Sequence, residues 1–288
     1  GVTVYDEASG LGGTKTNAGF VEDDINKIEW SGGRAAAKWF LSDNWSATVS
    51  ANFQKLEAGG FNDYDPGVGD LKTVKFADEF REDDWEQMSL VVEGDLGFAQ
   101  LTVAGSYYDR ETMYHHDTQT YTAYYMYTFG VYGGYASYDL GSEPTGYLVN
   151  DQKNEATTFE ARLTGSGATL SWTAGVFYNE NEEYWDFKSY VDGYNDSGAA
   201  YYWRGLATYY DTGTISATDA WWHSAQGIDR TDKAVFGELD YSLTDRLSLL
   251  IGGRYYEVER DMTYFMEKPE GNPGLPSTPT GPGMPYWC

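Results

Sequence analysis

Cysteine is almost missing from this sequence: its 288 residues hold one, Cys288, at the last position. One thiol closes no internal disulfide, and with no CxxC pair or Cys/His cluster there is no framework for zinc. Histidine is nearly as scarce, at 3 residues, so imidazole chemistry has few carriers. Positive charge is short as well. The 19 Lys+Arg face 45 Asp+Glu, for a formal charge of -26 and a pI near 4.2, which sets most of the surface against polyphosphate and disfavours nucleic acid as a partner. No apolar run is long enough for a spanning helix, and residues 1–13 lack the charged start and apolar centre of a signal peptide. The expectation is a chain that begins inside a longer protein or has lost its leader.

What the chain does hold is aromatic side chains and glycine. Aromatics make up 17% of it, with 26 Tyr and 10 Trp beside 34 Gly, at a mean hydropathy of -0.56. That mixture suits strands that are apolar on one face only, whereas a soluble α/β enzyme usually carries more Ala, Leu and Lys. Four segments repeat one plan of alternating strand, tight polar turn and alternating strand: Gly33 to Gln54 around Ser42-Asp43-Asn44, Trp85 to Arg110 around Gly97, Glu155 to Glu183 around Gly165-Ser166-Gly167, and Lys233 to Asp261 around Thr244-Asp245-Arg246. On the last returning strand Leu247, Leu249, Ile251, Gly253 and Tyr255 share one face, and Ser248, Gly252 and Arg254 take the other. Each returning strand places an aromatic at the same offset: Trp45 to Phe53, Ala99 to Tyr107, Leu170 to Tyr178, Leu247 to Tyr255. At roughly 3.3 Å per residue and a tilt of about 40°, that offset climbs on the order of 20 Å, the height of an apolar membrane band. Trp39, Trp45 and Tyr241, near the turns, are placed for the opposite girdle.

The connections between hairpins, about Glu57 to Asp84, Glu111 to Asn154 and Asp186 to Asp232, are long and polar, against tight turns at the other end. Bacterial outer-membrane barrels have this asymmetry, with short turns toward the periplasm and long loops outside. The fold class expected is therefore all-β, an antiparallel up-and-down transmembrane β-barrel, partial, of about eight strands. From Glu267 onward, Pro269, Pro273, Pro276, Pro279, Pro282 and Pro285 rule out a strand and mark the start of another loop. The alternative is a soluble sandwich or propeller, against which stand the strand lengths and the one-sided distribution of long loops.

The segment Ala234-Val235-Phe236-Gly237 through Tyr241-Ser242-Leu243-Thr244-Asp245-Arg246-Leu247-Ser248-Leu249, followed by Gly252-Gly253-Arg254-Tyr255, resembles a hairpin widespread in the barrels of TonB-dependent receptors, and Gly32-Gly33-Arg34 with Ser42-Asp43-Asn44-Trp45 resembles an earlier one. The resemblance implies a barrel of about 22 strands around an N-terminal plug, powered through TonB by an inner-membrane complex. It implies active uptake of a ferric siderophore or similar scarce nutrient, with outer-membrane lipid as surroundings and no cofactor. Rival ligands are a carbohydrate or cobalamin, and rival functions a passive porin or an outer-membrane barrel enzyme. On this reading residues 1–288 are part of one barrel domain, incomplete at both ends and without the plug.

No catalytic motif stands out; neither a Gly-x-Ser-x-Gly elbow nor a phosphate-cradling glycine loop is present, so the chain is not read as an enzyme. His115-His116-Asp117 invites a metal reading, yet neighbours in an extended chain point to opposite sides, and no metal is expected there. His223 reads as a loop residue, and Asp83-Asp84 and Glu182-Glu183 read as solvated strand ends. The ligand-binding candidates are aromatics in the long connections: Tyr121, Tyr124, Tyr125 and Tyr127, then Tyr202, Trp203, Trp221 and Trp222. Their faces suit stacking and their hydroxyls hydrogen bonding, and packing of the loops against themselves is the competing use.

Overall fold

The structure is a computed structural model and describes residues 17–125, 145–210 and 217–267. It is one antiparallel sheet of eight strands in sequence order: β1 (Ile28–Ser42), β2 (Trp45–Ala58), β3 (Phe80–Asp95), β4 (Gln100–Asp117), β5 (Gly146–Ser166), β6 (Leu170–Val191), β7 (Ala220–Thr244) and β8 (Leu247–Glu267). Two short helices, α1 (Gln119–Tyr125) and α2 (Gly198–Tyr210), lie in the long connections. Among the described residues β1 and β8 do not pair, so the sheet is open.

A single hydrogen-bonded row fixes the register. It runs Trp39, Ala47, Val92, Val103, Ala161, Val176, Val235, Tyr255, one residue from each strand and every one apolar. The row starts beside the tight turns and ends at the loop-side aromatics, which is the stagger of tilted barrel strands. Val49, Leu90, Val176, Val235 and Ile251 on this face are each close to half exposed or more. An exposed apolar surface of this extent is a site of contact with lipid or partner rather than with water.

The opposite face is polar and satisfied across strands. Ser50 and Ser89 Oγ atoms lie 2.6 Å apart, Thr158 donates to Asn179 at 2.8 Å, and Lys38 Nζ reaches Glu93 at 2.9 Å. Arg162 pairs with Glu160 and Arg254 lies over the Phe177 ring, so Arg34, Lys38, Glu160, Arg162, Glu238 and Arg254 share this face by strand parity. Asp83 belongs here as well. Rather than a solvated strand end it is buried, held by Arg110 through Nε and Nη2 at 2.8 and 2.6 Å.

The turns fall at Asp43-Asn44, at Leu96 to Ala99 with Gly97 at φ +84°, at residues 167–169, and at Asp245-Arg246. The third lies two residues later than expected, because Gly165 is still in β5, with the Trp172 ring of the facing strand over it. The strands overrun the expected limits at the loop end: β4 continues to Asp117, β6 to Val191, and β7 begins at Ala220. There aromatic and polar side chains mix on both faces, so the alternation of hydrophobicity stops while the backbone ladder continues. His223 accordingly sits in β7 rather than in a loop, its Nε2 2.9 Å from Asp186 Oδ1.

Candidate functional site

At the loop end, on the polar face, one hydrogen-bonded row crosses four strands: His116 of β4, Leu148 of β5, Ser189 of β6 and Trp222 of β7. It forms a wall of a pocket of about 980 Å³. The connection between β2 and β3 closes another side with Asp63, Tyr64, Asp65 and Lys75, and α1 supplies Tyr121 and Tyr124. This volume is at the upper end of small-ligand sites.

The β2–β3 connection is held over the sheet by charge. Glu79, at its end, is almost wholly enclosed, with Lys75 Nζ 3.0 Å and His116 Nδ1 2.8 Å from Oε1. The Asp117 N–H also donates to Oε1, at 3.1 Å. Burial pushes the Glu79 carboxyl up, but the adjoining His116 and Lys75, the Lys75 charge and the Asp117 N–H outweigh it and hold the group down at about 2. Lys75 in turn donates to Asp63 at 2.8 Å. Asp117 ties the same connection to the strand end: Oδ2 accepts the N–H groups of Phe76 and Ala77, and Oδ1 accepts that of Gln119 at the start of α1. The pair His115-His116 does divide between faces. His116 packs edge-on to Phe61 by the pocket, and His115 stacks between Phe80 and Tyr147 on the other side. Among the described residues no group of three or more His, Cys, Asp or Glu is arranged to hold a metal ion.

Above the row, a small core joins the connections: Ala123 of α1, Val191, Tyr194, Ala199 and Ala200 around α2, and Trp221. Ser197 starts α2 by accepting the Ala200 N–H on Oγ at 3.2 Å. Trp221 has both proposed uses at once, being buried in this core with Nε1 donating to Ser189 at 2.8 Å while it also lines the pocket.

Of the aromatics singled out in the sequence, Tyr121, Tyr124, Trp221 and Trp222 meet in the pocket. Tyr202 and Trp203 do not; they lie on α2, edge to face with each other, with Trp203 buried against the fold. Tyr125 closes α1, its side chain outside the described residues, and Tyr127 lies outside them altogether. Sequence reasoning missed Tyr64, Phe187 and the Lys75–Glu79 anchor. Tyr64 stands in Asn62-Asp63-Tyr64-Asp65-Pro66-Gly67, a turn-rich run whose one aromatic was the available signal.

No protein-family model matches the sequence, and no curated protein matches it. Solved structures do. The ferric yersiniabactin uptake receptor FyuA from Yersinia pestis superposes with a TM-score of 0.54 at 12% identity, over 84% of this chain and 31% of that one. A chain of the FpvAI-pyocin S2 complex (TM-score 0.48, 12% identity, 84% and 32%) and the ferric preacinetobactin receptor BauA from Acinetobacter baumannii (0.44, 12%, 85% and 37%) match more loosely, and only the first is close enough to speak to the fold. This chain spans about a third of the length of the structures it matches. Its eight strands have the fold of part of a receptor barrel, in agreement with the resemblance of its hairpins.

Proposed function

We propose that this chain is part of the barrel of a TonB-dependent outer-membrane receptor that captures a large, scarce nutrient, a ferric siderophore or a molecule of similar bulk, at its outer mouth. The observation that carries the reading is the pairing of the continuous apolar row, Trp39 to Tyr255, with an aromatic pocket on the opposite face at the loop end. Lipid meets the first, and ligand meets the second. No bond is made or broken in this scheme; the tyrosines and tryptophans hold the ligand, and the TonB complex, acting through a plug inside the barrel, supplies the energy for release inward. The tight turns at Asp43, at 167–169 and at Asp245 then face the periplasm.

The test is genetic and uses the complete protein. Deleting its gene and deleting TonB should produce the same growth defect when one nutrient, iron or a carbon source, is limiting, and restoring the gene should repair it only in cells that have TonB. A defect that the gene repairs without TonB would make the protein a passive porin and overturn the proposal.

A further inference from the structure

We infer that the pocket beneath the β2–β3 connection takes a neutral, hydroxyl-rich ligand of the saccharide class and rejects multiply anionic chelates. The inference rests on the receptor reading above and names the ligand class of the same site.

An anionic ligand needs an uncommitted cation, and the described lining residues contain no arginine, one histidine, His116, which lies 2.8 Å from the Glu79 carboxylate, and one lysine. That lysine, Lys75, is about nine-tenths enclosed and already lies between two carboxylates, Asp63 at 2.8 Å and Glu79 at 3.0 Å. The guanidiniums next along the polar face, Arg81 and Arg110, both sit on Asp83. Against them the lining offers Asp63, Asp65 and Asp117, in a chain of formal charge -26. A ligand carrying several negative charges would enter a field of its own sign, with no uncommitted lysine or arginine among the described lining residues.

What the pocket does offer matches a sugar on both of its surfaces. Tyr121 and Tyr124 are more than half exposed, and they stand with Trp222 as aromatic faces for the C–H side of a pyranose ring. The carboxylates of Asp63 and Asp65 are strong acceptors for hydroxyl hydrogens. Such hydrogen bonds add no charge to the site. The volume, about 980 Å³, accommodates an oligosaccharide rather than a single ring.

The complete receptor in detergent micelles is titrated calorimetrically at low salt with neutral malto-, xylo-, arabino- and chito-oligosaccharides and with ferric chelates ranging from neutral to trianionic. Wild type is compared with the Tyr121→Ala/Tyr124→Ala double variant and with Asp65→Lys. At least one neutral saccharide should bind, the double variant should weaken it by about tenfold or more, and the trianionic chelate should bind wild type at least about a hundredfold less well. Asp65→Lys, a change on an exposed loop, should raise the affinity for that chelate. A trianionic chelate that binds wild type more tightly than every saccharide, and that the double variant weakens, overturns the ligand class and leaves the receptor reading standing. Failure of Asp65→Lys to raise chelate affinity overturns the charge argument. If neither saccharides nor chelates respond to the double variant, the pocket is not the capture site and both readings fall.

Discussion

Gly175 shows how a single position is dictated by its neighbours across the sheet. A Cβ there would come 2.4 Å from the Phe236 ring and 2.9 Å from the Ala161 carbonyl oxygen, which cannot move aside as a side chain can. Gly175→Ala should therefore destabilise the full-length barrel by roughly 1–3 kcal/mol, as overpacking does, seen as a lower temperature for loss of heat-modifiable migration on gels. An unchanged temperature would mean that the β5–β6–β7 register differs from the one described. Residue-level chemistry of this kind was only partly legible in the sequence. The parity of Arg34, Arg162 and Arg254 followed from alternation alone, but the burial of Asp83 did not, because its partner Arg110 lies on the next strand and the register that joins them is a tertiary fact.

Among the elements, the β2–β3 connection is held in position by charge. The folded-state carboxyl of Glu79 lies near 2, below its ordinary value of 4.5, so its ionisation stabilises the anchored connection fully above pH 4.5, and this contribution is lost as pH falls through about 2. Limited proteolysis within residues 59–79 should be resisted down to about pH 4 and become rapid only near pH 2. Glu79→Ala leaves Lys75 enclosed with Asp63 alone, and should cost the connection on the order of 3 kcal/mol, opening it to protease at neutral pH. Equal cleavage of variant and wild type at neutral pH would show that charge does not hold it. The topology of all the connections has its own check: in intact cells producing the complete protein, cysteines at Asn62 and Asn195 should react with an impermeant thiol reagent, and those at Asp43, Ser166 and Asp245 should not. The four hairpins could be read from period-two alternation, whereas their loop-side ends could not. From Glu111 to Asp117 and from Asp186 to Val191 aromatic and polar side chains mix on both faces, and the signal that marks a strand in sequence disappears before the hydrogen-bond ladder does. The gathering of Tyr121, Tyr124, Trp221 and Trp222 was legible only as a richness of aromatics in loops, since α1 and the strand ends that orient them carry no periodic pattern of their own.

For the molecule as a whole, the two faces of one sheet make opposite demands on their surroundings. The apolar face leaves at least one large aliphatic or aromatic side chain exposed in every strand from β2 to β8, from Val49 to Phe159 and Tyr255, which water would penalise at roughly 25 cal/mol for each Å². The polar face carries serine, threonine, asparagine and paired charges, and at its loop end the pocket. On the function proposed above, a bilayer meets the first face and a watery lumen the second. Nitroxide labels placed singly in the complete protein in lipid vesicles test this directly. Labels at Val49, Leu90 and Val176 should be relaxed by dissolved oxygen and shielded from a water-soluble nickel chelate, and labels at Ser50, Ser89 and Phe177 should show the reverse. If labels on both faces are open to the nickel chelate, or those on the apolar face are closed to both reagents, the sheet does not cross the membrane.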